Sequence, residues 1–296
     1  MRLLVTNDDG IDAVGIHVLV RALADAGHDL LVVAPDGDRS GTSASLGGLS
    51  GDTRLEARPV EVPDAAGVEA WAIDGPPALC VLAARLGGFG EPPEVVVSGI
   101  NAGLNTGRAI LHSGTVGAVL TGQNFGMSGL AVSAQSPNGP DERWYWDTAA
   151  ALAVEVLELV LRAPARSAVN LNVPARPRRE VVGIRWARLA PFGEVRAGMA
   201  GTDDDGTGRR RLEMELRLTE HDFDPDSDQG LVRAGYAAIT TLVGVVEAWP
   251  AEEGLGPGPE PAEVEERVVP GAPLHPAHRI PDASARGVLQ RPPVAG

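Results

Sequence analysis

Lysine is missing from this 296-residue chain; all 25 basic residues are arginine. Schiff-base chemistry and any phosphate loop built on lysine are therefore excluded. Cysteine is nearly missing too, and the single Cys80 cannot form an intrachain disulfide. With no partner histidine motif nearby, it reads as a small packed core residue rather than a nucleophile. Aromatic residues make up only 4%. No charged-then-apolar leader is visible, and no apolar run is long enough to cross a membrane, so a cytoplasmic location is expected. Positive charge is scarce as well. A net charge of −15 argues against a nucleic-acid duplex or an anionic membrane as partner, although a cation or a helix start could still receive a small anion.

What is present is a core-forming composition, 44% apolar, arranged as alternating strands and helices. Arg2 to Thr6, Leu30 to Ala34, Glu94 to Ser98, Leu130 to Ser133 and Ala168 to Val173 are short apolar runs that read as buried strands. Helical spacing separates them, as in Ile16, Leu19, Val20 and Leu23, in the segment opened by Gly75, Pro76 and Pro77, and in Trp144 to Leu161. This predicts an α/β fold: a mostly parallel sheet sandwiched by helices over residues 1–175, with a β-rich C-terminal extension over 176–248. Residues 249–296, rich in Pro, Gly and Glu, are expected to be a disordered tail. The acidic run Thr202 to Gly208 reads as an exposed hairpin tip, since it lacks the spaced ligands and closing glutamate of a calcium loop.

The chemistry concentrates where strands end. Asn7, Asp8 and Asp9 follow the first strand, at the sheet edge where open α/β folds bind ligands. Adjacent carboxylates repel, and a cation or hydrogen-bond donors would compensate them; Asn, Asp and Gly are equally ordinary turn residues. Ser40 leaves the same edge after the second strand, in a long small-residue loop with Arg39, Gly41, Ser43 and Ser45, and Asn101 does so after a third. Together Asp8, Asp9, Ser40 and Asn101 would surround one point with oxygen donors. Such a set suits one divalent cation per subunit, Mg²⁺ or Mn²⁺, with Ca²⁺ also fitting. A cation so held polarises a phosphoryl oxygen and makes hydroxide available near neutral pH. Ser113, Gly114 and Thr115 open a further helix, whose free amides and hydroxyls could seat a phosphate or could simply be caps.

Four blocks then carry a resemblance: VTNDDGI at Val5 to Ile11, APDGDRSGTS at Ala34 to Ser43, VSGINAGLNTG at Val97 to Gly107 and SGTVGA at Ser113 to Ala118. In order and spacing they resemble the SurE family of stationary-phase survival proteins, over about the first 245 residues. The resemblance implies a Rossmann-like core and a metal-dependent phosphatase acting on nucleoside 5′- and 3′-monophosphates. It also implies a homodimer or homotetramer in which the β-rich extension, lacking a core of its own, is exchanged between subunits. The family's metal ligands fall on Asp8, Asp9, Ser40 and Asn101, and Asp8, Asp9 and Asn101 are the expected catalytic residues. Asn7, Ser40, Gly41, Asn105, Ser113, Gly114 and Thr115 are the expected substrate and phosphate contacts. Departures from the family pattern are Ala44, Pro76 and Leu79 within Gly75 to Cys80, His112 and Thr121. They bear on substrate preference, and they keep open a non-nucleotide ester as substrate or a nucleotide-binding scaffold role. His112 reads either as a proton donor to the leaving oxygen or as a residue filling the space of the family's usual aromatic.

Overall fold

The sheet grows outward from its first strand. In the computed structural model the described residues are 1–49, 54–137, 139, 143–193, 195–204, 210–218, 223–246 and 289–290. β1 (Arg2–Thr6), β2 (Asp29–Pro35), β3 (Ala57–Pro59) and β4 (Glu69–Ile73) come first, with α1 (Val14–Asp25) between β1 and β2. There follow α2 (Pro77–Arg85), β5 (Val95–Ala102), α3 (Gly114–Asn124), β6 (Ser128–Ala134), α4 (Trp146–Arg162) and β7 (Ala168–Val173). The last elements are β8 (Ile184–Trp186), β9 (Val195–Asp204), β10 (Arg210–Leu218), α5 (Asp228–Arg233), β11 (Ala237–Leu242) and the two-residue β12 (Leu289–Gln290). The main sheet runs β12-β8-β11-β7-β6-β5-β1-β2-β4-β3, while β9 and β10 form an antiparallel pair apart from it.

β1 pairs in parallel with both β2 and β5. From β1 the chain winds out through β2 and β4, then returns to add β5 on β1's other side. The strand order therefore reverses between β1 and β5, and a crevice opens there at the carboxyl edge. Because β1 is covered on both faces, every residue from Leu3 to Thr6 is buried. Its alternating side chains feed two cores. Leu3 and Val5 pack with Ile16, Leu19 and Leu23 of α1 and Leu152 and Val156 of α4, whereas Leu4 packs with Val81 of α2 and Val116 and Val119 of α3. Full burial of each such Leu or Val is worth roughly 1.5–3 kcal/mol. Cys80 lies in the second core as expected, and burial pushes its thiol up to about 12.

The segment expected as a β-rich extension divides between two places. β11 pairs antiparallel with β7 and parallel with β8, so both continue the main sheet past residue 175; β9 and β10 stand apart. Residues 205–208 of the acidic run at Thr202 to Gly208 and nearly all of the 249–296 tail lie outside the described residues. The exception is β12, which pairs in parallel with β8.

Candidate metal and phosphate site

The turn after β1 is held by its neighbours. Asn7, fully buried, donates from Nδ2 to the Gly10 carbonyl at 2.8 Å and so closes the turn, while its Oδ1 has no hydrogen-bond partner among the described residues. Gly10 sits at φ +96°, and a Cβ there would lie 2.9 Å from the Gly37 carbonyl carbon. The loop after β2 is laced to this turn through backbone. Ile11 N–H donates to the Pro35 carbonyl at 2.8 Å, and Arg39 N–H donates to the Asp8 carbonyl at 2.7 Å. The Arg39 guanidinium turns outward to Asp36 and Asp74, at 3.1 and 2.6 Å.

Asp8 is 3% exposed, and its Oδ1 accepts from the Thr115 hydroxyl. Burial raises its carboxyl above the ordinary range, against the hydrogen bonds from Thr115 and the Gly114 amide. A Cβ on Gly114 would lie 2.8 Å from both Cβ and Oδ2 of Asp8, so only glycine leaves room for this carboxylate. Ser113 is the α3 N-cap, its Oγ accepting from Val116 N–H at 3.1 Å. The start of α3 is therefore shared between two tasks: Ser113 caps the helix, and Gly114 and Thr115 lie against Asp8.

Asp9 leans the other way, its Oδ2 accepting from Ala102 N–H at 3.2 Å, beside Asn101 at the end of β5. Burial, then the charge of Asp8 and that of Asp38, push its carboxyl up to about 6. Asn101 donates from Nδ2 to the Gly103 carbonyl at 2.7 Å, which commits its nitrogen and leaves its amide oxygen as a donor atom. Ser40 is exposed and bonded to Asp38, whose Oδ1 accepts from Ser40 N–H at 2.8 Å and from Ser40 Oγ at 2.6 Å. These bonds hold the Asp38 carboxyl below its ordinary value. Asp38 is the residue that sequence reasoning missed; the signal was an Asp two positions before a Ser in a turn-forming loop.

Other expected contacts are engaged elsewhere. Asn105 N–H donates to Asn172 Oδ1 at 2.9 Å, its Nδ2 donates to Ser133 Oγ at 2.9 Å, and its carbonyl accepts from Asn170 and Asn172. It therefore ties the loop after β5 to β6 and β7. Buried Asp228, also unforeseen, accepts from the amides of Gly107, Ala190 and Gln229 and locks the next stretch of that loop. Gly41 supplies a left-handed turn at φ +81°, with nothing within 4 Å of a Cβ placed there. His112 is exposed at the end of a short 3-10 segment, directly before the α3 N-cap Ser113.

Among the described residues no group of three or more His, Cys, Asp and Glu side chains could hold a metal. The set at this edge is mixed instead: two carboxylates, a hydroxyl and an amide oxygen, all hard donors. Such a set fits Mg²⁺ or Mn²⁺, and two neighbouring carboxylates whose acid forms are favoured by burial are what a divalent cation would relieve.

Fold and site together define a doubly wound α/β protein with two adjacent carboxylates, Asp8 and Asp9, at the carboxyl edge of its topological switch point. The model of the family described as "Survival protein SurE" matches residues 3–193, and the chain belongs to that family. It is 37% identical over 245 residues to the 5′-nucleotidase SurE of Xanthomonas euvesicatoria pv. vesicatoria (strain 85-10), covering 82% of this chain and 89% of that one. The 5′-nucleotidase SurE of Xanthomonas oryzae pv. oryzae (strain PXO99A) is 36% identical over the same span. Among solved structures, the SurE protein from Aquifex aeolicus superposes with a TM-score of 0.66 at 28% identity, covering 82% of this chain and 93% of that one.

Proposed function

We propose that this protein is a metal-dependent phosphomonoesterase that converts nucleoside 5′-monophosphates, and 3′-monophosphates as well, to nucleoside and phosphate. The observation that carries the reading is the convergence at one edge. Asp8 lies against the α3 start, Asp9 against the β5 end beside Asn101, and the Ser40 loop is bonded to the Asp8 backbone. Relatives named 5′-nucleotidase support the substrate class.

Asp8, Asp9, Ser40 and Asn101 would hold one Mg²⁺ or Mn²⁺, which when bound supplies Lewis-acid polarisation of a phosphoryl oxygen and an activated water. The residues do the rest. Thr115 and Gly114 orient Asp8 and offset part of the cost that burial places on its charged form, and the positive end of the α3 dipole favours negative charge beside it. The Ala102 amide fixes Asp9. Asn7 and Asn105 hold the two loops so that the donors stay converged.

A panel of phosphate esters assayed with EDTA and after add-back tests this. Hydrolysis of nucleoside 5′-monophosphates should fall to background in EDTA and return with Mg²⁺ or Mn²⁺; turnover indifferent to EDTA would refute metal dependence. No helix among the described residues is long and apolar enough to cross a membrane, and we place the enzyme in the cytoplasm.

The same reading makes the protein a homodimer or homotetramer. β10 presents Leu212 and Met214 on one face, 58% and 69% exposed. An isolated two-stranded ribbon is marginal in water, so a second subunit is the natural cover. Sedimentation should give at least a dimer; a monodisperse monomer would overturn the assignment.

A further inference from the structure

The geometry points to Asp38 as a positioning residue of the cation site, acting through Ser40 without itself touching the cation. The inference rests on the metal reading proposed above and adds to it a residue outside the ligand set.

A serine hydroxyl has one proton and two lone pairs. Left free, it rotates, and the orientation that shows a lone pair to a cation competes with orientations that show the proton. In this structure the proton is committed. Ser40 Oγ donates to Asp38 Oδ1 at 2.6 Å, and Ser40 N–H donates to the same oxygen at 2.8 Å. Two donors from one residue on one carboxylate oxygen fix the side chain against its own backbone, leaving the hydroxyl lone pairs for a ligand. Donation to an anion also raises electron density on the hydroxyl oxygen, which improves a neutral donor. This is the service that carboxylates bonded to metal-binding histidines perform.

The turn is anchored where this would matter. Between Asp38 and Ser40, Arg39 N–H donates to the Asp8 carbonyl at 2.7 Å. The Arg39 guanidinium is meanwhile held outside by Asp36 and Asp74. Asp38, Arg39 and Ser40 therefore form one unit whose backbone is pinned to a cation-binding residue and whose cationic side chain is kept off the Asp38 carboxylate by two other acids.

The experiment is Mn²⁺ binding to the full chain, followed by calorimetry and by the loss of free-Mn²⁺ paramagnetic resonance signal, so that the readout does not depend on activity. Asp38→Ala should weaken Mn²⁺ by ~10–100-fold, the range for loss of an outer-shell partner. Asp38→Asn, which keeps an acceptor for the hydroxyl but loses the charge, should fall between it and wild type. In a Ser40→Ala background, Asp38→Ala should add little. The metal-free thermal midpoint should move by no more than a few degrees in either Asp38 variant, because the exposed residue gives up hydrogen bonds from Ser40 while relieving the charge on Asp9, two effects of opposite sign. Unchanged Mn²⁺ affinity in Asp38→Ala overturns the proposal. So does an equal loss with and without Ser40, which would make Asp38 a distant charge rather than a positioning group. If wild type itself takes up no Mn²⁺, the metal reading fails first, and that result is distinct from equal affinities among proteins that all bind.

Discussion

Asp9→Asn should abolish phosphatase activity, by ~10²-fold or more, while making the metal-free protein more stable at neutral pH. Even an outer-shell partner commonly carries 10–100-fold in affinity or rate, and Asp9 is proposed as a ligand itself. The stability gain follows from the sign of its titration. Burial, Asp8 and Asp38 raise the folded carboxyl from an ordinary value of 3.8 to about 6. Between those values the folded chain holds a proton that the unfolded chain has released. Stability of the metal-free protein therefore falls as pH climbs through that window, and stays at the lower level above it. Asparagine carries no charge and removes this loss. At pH 7.5 without metal, Asp9→Asn should melt above wild type, and the gap should close toward pH 4. With saturating Mn²⁺ the order should reverse, because only wild type gains binding energy. Since a cation displaces the proton, wild-type Mn²⁺ affinity should also drop below about pH 6. Thermal melts across pH with and without Mn²⁺, alongside assays, check all of this; full activity in the variant, or parallel melting curves, would remove Asp9 from the site.

The parts of this site that could be read from sequence are those set by local pattern. β1, β2 and β5 are apolar runs buried on both faces, so the polar residues at or just past their ends were visible as Asp8, Asp9, Ser40 and Asn101, although β5 runs on through Asn101 to Ala102 rather than stopping at Ser98. Ser113 was visible as a cap and is one. What stayed hidden depends on partners far along the chain. The Thr115 hydroxyl meets Asp8 across 107 residues, a contact that no local pattern announces. Asn105 is expected as a substrate contact only from the family resemblance, and its hydrogen bonds to β6 and β7 depend on Ser133, Asn170 and Asn172, far along the chain. β8 is three residues long, and only its parallel pairing with β11 reveals that it extends the main sheet. α5 is a single short turn-and-a-half containing Gly230; its one legible signal was Ser227, whose Oγ caps the Gly230 amide. Asp38 was overlooked because an Asp in a glycine- and serine-rich loop has an ordinary turn role, and its hydrogen bonds to Ser40 satisfy that role too.

Gly114→Ala should cost activity far more than stability, by ~10²-fold in kcat/KM for roughly an ångström of displacement at the site. The added methyl would lie 2.8 Å from Cβ and Oδ2 of Asp8 and 3.2 Å from its Cγ. Asp8 cannot swing away freely, because it is 3% exposed and its Oδ1 is held by Thr115. Either the carboxylate or the start of α3 must give way, and both are part of the proposed cation site. Gly122→Ala in the same helix separates the two effects. Its methyl would lie 2.7 Å from Val96 Cγ2, a clash in the α2/α3 core that touches none of the proposed ligands. That variant should lose thermal stability while its folded fraction keeps kcat/KM and Mn²⁺ affinity close to wild type. Gly114→Ala should do the reverse, keeping its melting temperature within a few degrees and losing turnover and Mn²⁺ binding together. If Gly114→Ala retains both, the contact between the α3 start and Asp8 is packing alone, and the cation is held without its help.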